Sequence, residues 1–301
     1  MNQIESLYRL KRLYVFTGEL QLTTALHLGG GDPAFSVADS PVMRRADGLP
    51  FIPGSSIKGA FRATVEKFAA TLGLLNMHLD ALDNQSDWQR RFAERRQGER
   101  DDRGQEIHGG RPWTDEQTIE HVRAEWPATA ALFGTPYTAS HILFQDAMPL
   151  AEDQAVVQRR DGVAIDRDSE RAVEGLKYDY EVVAPTATFH FEATLRDPEE
   201  LDLQLACIGL SELAGGFFSL GGKRSSGLGR CQLQNLHIYE LDLTVDDLDQ
   251  RIKHLQRYLT GASLDQKLTL VASGSAALDW LHERIDALLQ ECLTAEGGND
   301  A

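Results

Sequence analysis

The 301-residue chain carries 46 acidic and 30 basic side chains, a formal net charge of −16, and is 42% hydrophobic. That hydrophobic fraction excludes wholesale disorder, and the length suggests two domains or one with large insertions. The acidity speaks against a protein that coats itself in nucleic acid, because such binding rests on many Lys and Arg contacts to phosphate.

The opening stretch, MNQIESLYRLKRLYV, lacks the apolar region and small-residue cleavage site of a signal peptide. No run of about 18 apolar residues predicts a membrane span. Cys207, Cys231 and Cys292 are far apart and form no CxxC pair. That usage fits a reduced, cytoplasmic compartment and argues against an all-cysteine zinc site.

Residues 12–28 read as one strand. Tyr14, Phe16, Leu20, Leu22, Leu26 and Leu28 share one parity, and Glu19, Gln21, Thr23 and His27 the other. The alternation describes one buried and one solvated face, with His27 on the solvated one. Gly29, Gly30 and Gly31 end the strand, and an irregular stretch runs to Pro53. Residues 55–72 read as a helix, with Ile57, Phe61, Val65, Phe68 and Leu72 in an apolar stripe. Ser55 or Ser56 suits its N-cap, and Pro53-Gly54 breaks the chain just before it. Residues 73–131 read as a partly helical, polar insertion, 140–146 as a short strand, and 150–185 as a projecting arm. A strand over 189–195, a helix over 201–214, a glycine-rich loop over 215–230 and a strand over 231–239 follow. Residues 241–301 hold 11 acidic and 5 basic residues, a balance of −6. Two amphipathic helices are predicted there, lined by Leu248, Ile252, Leu255 and Leu259 and by Leu278, Leu281, Ile285 and Leu288. The core order is strand, helix, strand, strand, helix, strand. That is the α+β, ferredoxin-like or RNA-recognition-motif-like plan over residues 12–240, followed by an acidic helical extension.

Three segments carry candidate chemistry. In PFIPGSSIKGAFR (50–62), a Pro-Gly turn delivers Ser55 and Ser56 to a helix N-terminus, where free N–H groups and the dipole favour an anion. Lys58 and Arg62, four apart, share a face. The same residues also describe a well-capped surface helix with two solvated cations. In GGKRSSGLGR (221–230), Gly221, Gly222, Gly227 and Gly229 permit close backbone approach to a phosphate. Lys223, Arg224 and Arg230 supply charge and Ser225 a hydroxyl; a plain turn before a strand has the same look. The order is not that of a P-loop. In GGGDPAFSVADSPVMRR (29–45), Asp32 and Asp39 stand near Arg44 and Arg45. A loop carboxylate there suits a divalent metal or a proton transfer, and Asp39-Ser40-Pro41 equally suits a turn.

Taken together, LHLGGG (26–31), DSPVMRRADGLPFIPGSSIKGAFR (39–62), LFG (132–134), FQDA (144–147), AIDRDSERA (164–172), YEVVAP (180–185) and the glycine-rich loop fall in one order. That series resembles the backbone subunits of type III CRISPR effector complexes, in the repeat-associated mysterious protein (RAMP) superfamily. The resemblance spans roughly residues 12–240. It implies a palm with a thumb hairpin, here about 150–185, carrying Ile165, Asp166 and Arg167. It implies copies lined along a CRISPR RNA in a filament with other effector subunits. Target RNA would be cut at six-nucleotide intervals by an Asp and a divalent cation, Mg²⁺ or Mn²⁺. Asp39 is the matching catalytic and metal-binding residue. His27, Arg44, Arg45, Ser55, Ser56, Lys58, Arg62 and Gly221 to Gly229 match the RNA-binding segments.

Some relatives carry Cys or His zinc ligands after the first helix. Residues 73–131 here have no cysteine and only His78, His108 and His121, so no structural zinc is expected. The alternative to an endoribonuclease is a catalytically inactive scaffold that binds guide RNA and spaces the filament. In both readings the net charge of −16 predicts a narrow basic track on a negative body: Arg44, Arg45, Lys58, Arg62, Lys223, Arg224 and Arg230.

Overall fold

The alternation at the start of the chain becomes β1 (Arg12–Leu22), which sits between two other strands of a six-stranded sheet. A computed structural model describes residues 9–30, 39–74, 129–135, 139–151, 155–166, 168 and 171–297. The elements after β1 are α1 (Gly54–Thr71), α2 (Thr129–Phe133), β2 (Ile142–Phe144), β3 (Val157–Ile165), β4 (Ala172–Val183) and β5 (Thr188–Arg196). Then come α3 (Glu200–Ala214), β6 (Phe218–Ser219), β7 (Arg230–Asp242), α4 (Leu248–Thr260), α5 (Leu264–Lys267), β8 (Thr269–Ser273) and α6 (Ser275–Gly297). The main sheet has the order β2-β5-β1-β7-β6, with β8 also paired to β7, and its ladders are antiparallel. The path β1-α1-β2-β5-α3-β7 is the ferredoxin-like plan, and β3 and β4 form a separate hairpin inserted between β2 and β5.

Tyr14, Phe16, Leu20 and Leu22 face the main core with Ile57, Phe61 and Val65 of α1 and Leu205, Ile208 and Leu213 of α3. Ala69 completes the α1 stripe, while Phe68 is 39% exposed. The expected solvated face of β1 is covered at its start. Leu13 and Val15 are buried with Tyr239, Leu241 and Leu268, and Tyr258 and Leu264 of the C-terminal extension pack on them. β1 also stops at Leu22 rather than residue 28. Thr23 and Thr24 both donate to the Arg230 carbonyl, at 2.9 and 3.2 Å, and the chain then pairs Leu26 with Val183 of β4. Periodicity predicts no strand between the tail helices, yet β8 lies there against β7. Among the described residues no helix is long and apolar enough to cross a membrane.

Helix α3 begins with a capping box, the Glu199 side chain taking the N–H of Asp202 and Asp202 returning to the Glu199 N–H at 3.1 Å. The same Asp202 carboxylate accepts from His141 Nδ1 at 2.8 Å, and Asp202 is 2% exposed. That hydrogen bond raises the His141 pKa above its ordinary 6.5, although burial pulls the other way. The folded state therefore keeps a proton that the unfolded chain releases near 6.5. The stabilisation is complete below that value and fades as pH rises through the folded one. His141→Gln is expected to cost about 1 kcal/mol at about pH 6 and little at about pH 9. Thermal melts at the two pH values check this, and an equal cost at both would refute the linkage.

Candidate functional site

The loop that carries Asp39 is stitched to β4 residue by residue. The Asp39 N–H donates to Asp179 Oδ1 at 2.7 Å, and the Asp179 N–H donates to Asp39 Oδ2 at 3.0 Å. Ser40 bridges to Tyr180, with the Glu181 N–H donating to the Ser40 carbonyl at 3.0 Å. The Glu181 carboxylate then takes the Val42 N–H and the Arg44 guanidinium, each at 3.1 Å. Asp179 is 8% exposed, and Arg159 of β3 neutralises it in an ion pair. Asp39 is held in place while its residue stays exposed, and among the described residues its Oδ1 takes no hydrogen bond.

His27 departs from the expected solvated position: it is 7% exposed. Its Nδ1–H donates to the Glu181 carbonyl at 2.7 Å, which leaves Nε2 to accept weakly from Ser40 Oγ at 3.4 Å. The physical reason is the end of β1 at Leu22. Beyond it the chain leaves the palm ladder and turns residue 27 under β4.

The two anion-suited segments meet. Ser56, Gly59, Ala60 and Ala63 of α1 face Gly221 and Arg224 of the glycine-rich loop, with Leu28, across a cleft of about 250 Å³. Spacings of three and four put the small α1 residues on one stripe, so a backbone can approach closely there. The loop is fastened to the segment after β1 by Gly222 N–H to the His27 carbonyl and Gly229 N–H to the Ala25 carbonyl, at 2.9 and 2.8 Å. Between these anchors runs a 3-10 turn, Arg224–Ser226, flanked by Lys223 and Gly227 in left-handed conformations.

Several expected details differ. Neither Ser55 nor Ser56 caps α1; Pro53 holds the N-cap position, and Asp146 of FQDA accepts the Gly54 N–H at 2.8 Å. Lys58 and Arg62 do not line the cleft. Arg62 pairs with Glu66 at 2.6 Å and lies 5.9 Å over the Phe133 ring. Burial, reinforced by the Arg62 charge, lowers the Lys58 pKa. Arg44 pairs with Glu181 and Arg45 with Asp47, so three of the expected track cations face carboxylates of the same chain. Among the described residues, Lys58 and Arg224 have no carboxylate partner.

Ile165 and Asp166 lie at the distal end of the β3–β4 hairpin, where Ile165 is in register with Ala172 and the Asp166 N–H donates to the Arg171 carbonyl. Arg167, Asp32 and the insertion over 75–128 lie outside the described residues. Among the described residues no three His, Cys, Asp or Glu side chains cluster to hold a metal. Burial pushes the Cys207 and Cys231 thiols up to about 12, so neither offers a thiolate near neutral pH.

The RAMP superfamily model matches residues 19–232. Curated relatives named CRISPR system Cms endoribonuclease Csm3 are similar over shorter stretches. That of Methanothermobacter thermautotrophicus is 39% identical over 61 residues, 19% of this chain and 25% of that protein. That of Methanocaldococcus jannaschii is 40% identical over 60 residues, 19% and 24% of the two chains. That of Streptococcus thermophilus is 42% identical over 55 residues, 17% and 25%. The chain thus spans about a quarter of the length of the curated relatives it matches.

Proposed function

The chain belongs to the RAMP superfamily, and from that premise we propose that it is a guide-RNA-binding backbone subunit of a type III CRISPR effector complex and cleaves the complementary target RNA. Its partners are CRISPR RNA, target RNA, further copies of itself in a filament and other effector subunits. The observation that carries the reading is the Asp39 carboxylate, fixed by β4 at the base of the thumb hairpin with Oδ1 uncommitted among the described residues. The relatives named as endoribonucleases support the same reaction class.

RNA brings its own nucleophile. The 2′-oxygen attacks the adjacent phosphorus, the P–O5′ bond breaks, and the products are a 2′,3′-cyclic phosphate and a 5′-OH. What remains for the protein is to hold those atoms in line and meet the developing charge. The cleft between α1 and the glycine-rich loop suits the guide backbone: Ser56 and Arg224 offer donors, and the small α1 stripe lets the chain come close. Ser55, Lys58, Arg62, Arg44 and Arg45 flank that path. The carboxylates paired with Arg45 and Arg62, Asp47 and Glu66, are open enough to solvent for phosphates to displace them, whereas Glu181, paired with Arg44, is 17% exposed and also holds the Val42 N–H.

The donor set around Asp39 fits a loosely held divalent cation and not a closed protein cage. Asp179 is spent on Arg159, which leaves Asp39 Oδ1, and Mg²⁺ is commonly bound by one or two carboxylates, waters and substrate phosphates. Bound there, Mg²⁺ or Mn²⁺ would supply Lewis-acid stabilisation of the negative charge that develops on the scissile phosphate. Whether Asp39 ligates the cation or takes the 2′-proton, the working atom is Oδ1. His27 and Glu181 hold the loop from behind, through the imidazole on the Glu181 carbonyl and the Glu181 carboxylate on the Val42 N–H.

The test is incubation of the assembled complex with a labelled complementary RNA, in Mg²⁺ or EDTA. Cuts six nucleotides apart that vanish in EDTA are expected. Tight guide binding without cuts would instead favour the scaffold reading.

A further inference from the structure

Lys223 reads in the sequence as one more cation for phosphate, but in the fold its ammonium faces two aromatic rings. Nζ lies 4.6 Å from the centroid of Tyr178 and 4.4 Å from that of Tyr180, and 3.5 Å from Tyr178 Oη. The two rings are 6.1 Å apart and inclined by 30°, so one charge serves both. The Lys223 backbone has φ 56°, a left-handed conformation that a non-glycine residue adopts only when held. The turn holds it, with the Ser226 N–H on the Lys223 carbonyl at 2.9 Å.

The location matters because of the pleat. Tyr178 and Tyr180 occupy one face of β4, and Asp179 between them projects to the other. Asp179 is the residue that grips Asp39 through both its N–H and its carboxylate. The His27 ring meets the edge of Tyr180 at 5.8 Å and 80°, and the His27 carbonyl receives Gly222, the neighbour of Lys223. The glycine-rich loop on the cleft and the strand behind Asp39 are thus joined side chain to side chain at Lys223.

We infer that Lys223 is a positioning residue: a cation–π latch that ties the glycine-rich loop to β4 and thereby sets the Asp39–Asp179 register when the guide seats the loop. The inference rests on the proposed cleavage function for its activity readout. It departs from a phosphate-contact role in a measurable way. A phosphate contact contributes guide affinity and about one unit of the salt slope; a latch contributes neither and acts on the cleavage step.

Four variants in the assembled complex separate the two: Lys223→Met, Lys223→Arg, the double Tyr178→Leu/Tyr180→Leu, and the triple combination with Lys223→Met. Lys223→Met and the double variant are each expected to slow single-turnover cleavage by about tenfold, with guide affinity within about twofold of wild type and the salt slope unchanged. Lys223→Arg, which keeps the cation over the rings, is expected to restore the rate to within about threefold. The triple variant should be no slower than the worse of its parents, because the groups act as one contact. A drop in guide affinity with a shallower salt slope, unchanged cleavage, or multiplicative effects in the triple variant would each overturn the latch. Hydrogen exchange on the purified full chain gives a readout independent of cleavage: Lys223→Met is expected to speed exchange of the Asp179 amide, and an unchanged rate there rejects the latch. If the wild-type complex does not cut RNA while that amide does respond, the cleavage reading fails and the latch stands.

Discussion

Asp39→Asn in the assembled complex is expected to slow target-RNA cleavage by at least about 100-fold while leaving guide binding within about twofold. The substitution is chosen for what it keeps. The backbone N–H at position 39 still donates to Asp179 Oδ1, and the new side-chain amide oxygen can still accept the Asp179 N–H. The loop from Ser40 to Arg44 retains its own bonds to Tyr180 and Glu181. What disappears is one negative charge and the basic oxygen that among the described residues is committed to nothing. Single-turnover cleavage of labelled target and filter binding of guide RNA, measured on the same preparation, read the two effects apart. Cleavage at the wild-type rate would remove Asp39 from the chemistry. Loss of guide binding would recast it as part of the RNA cradle.

The elements legible in the sequence are those with one buried face and local periodicity. The strands 12–22, 188–196 and 230–242 and helices 54–71 and 200–214 follow from alternation at two or repeats at three and four. What failed depended on distant chain. The α1 cap is Asp146, 92 residues away, and no local rule distinguishes it from Ser55 or Ser56. β8 is five residues long and mostly exposed, and its assignment depends on the edge of β7. Asp39 stands out through its motif, but its partner Asp179 is 140 residues on, inside the YDYE run of the expected arm, and no local pattern joins the two.

Charge departs from the expected track for a different reason. Arg45 with Asp47 and Arg62 with Glu66 are local pairs, visible by spacing, whereas the Arg44–Glu181 pair spans 137 residues. The expected basic track is therefore partly self-neutralised. On the proposed function, RNA binding on this surface would exchange the chain's own carboxylates for phosphates, and an acidic chain with paired cations discourages stray polyanions more than its lysine and arginine count suggests.

Gly229→Ala is expected to be the most damaging single-methyl change in the glycine-rich loop, and Gly227→Ala much milder, though the two residues share nearly the same backbone. Their φ values are 85° and 84°. A side chain in that left-handed region costs about 1–2 kcal/mol at either position. The difference is what the new methyl meets. At Gly227 nothing lies within 4 Å, whereas at Gly229 the Cβ would come closer than 3.0 Å to the Leu220 carbonyl oxygen. That oxygen is backbone, so no rotamer change relieves the clash. The loop must lift from its seat, weakening Leu220 N–H to the Gly229 carbonyl and Gly229 N–H to the Ala25 carbonyl, both 2.8 Å. With about 1 kcal/mol for each lost bond, Gly229→Ala should cost about 3–4 kcal/mol. Because Gly221 and Arg224 on the same loop form one wall of the cleft, guide affinity should fall by at least about tenfold as well. Gly221→Ala belongs with Gly229, since its φ is 72° and its Cβ would press on the His27 carbonyl oxygen. Thermal unfolding and guide affinity on the three variants give the ordering, Gly229 and Gly221 far above Gly227. Equal effects at 227 and 229 would mean that backbone conformation alone, and not the seating of the loop on residues 25–27, shapes this wall of the cleft.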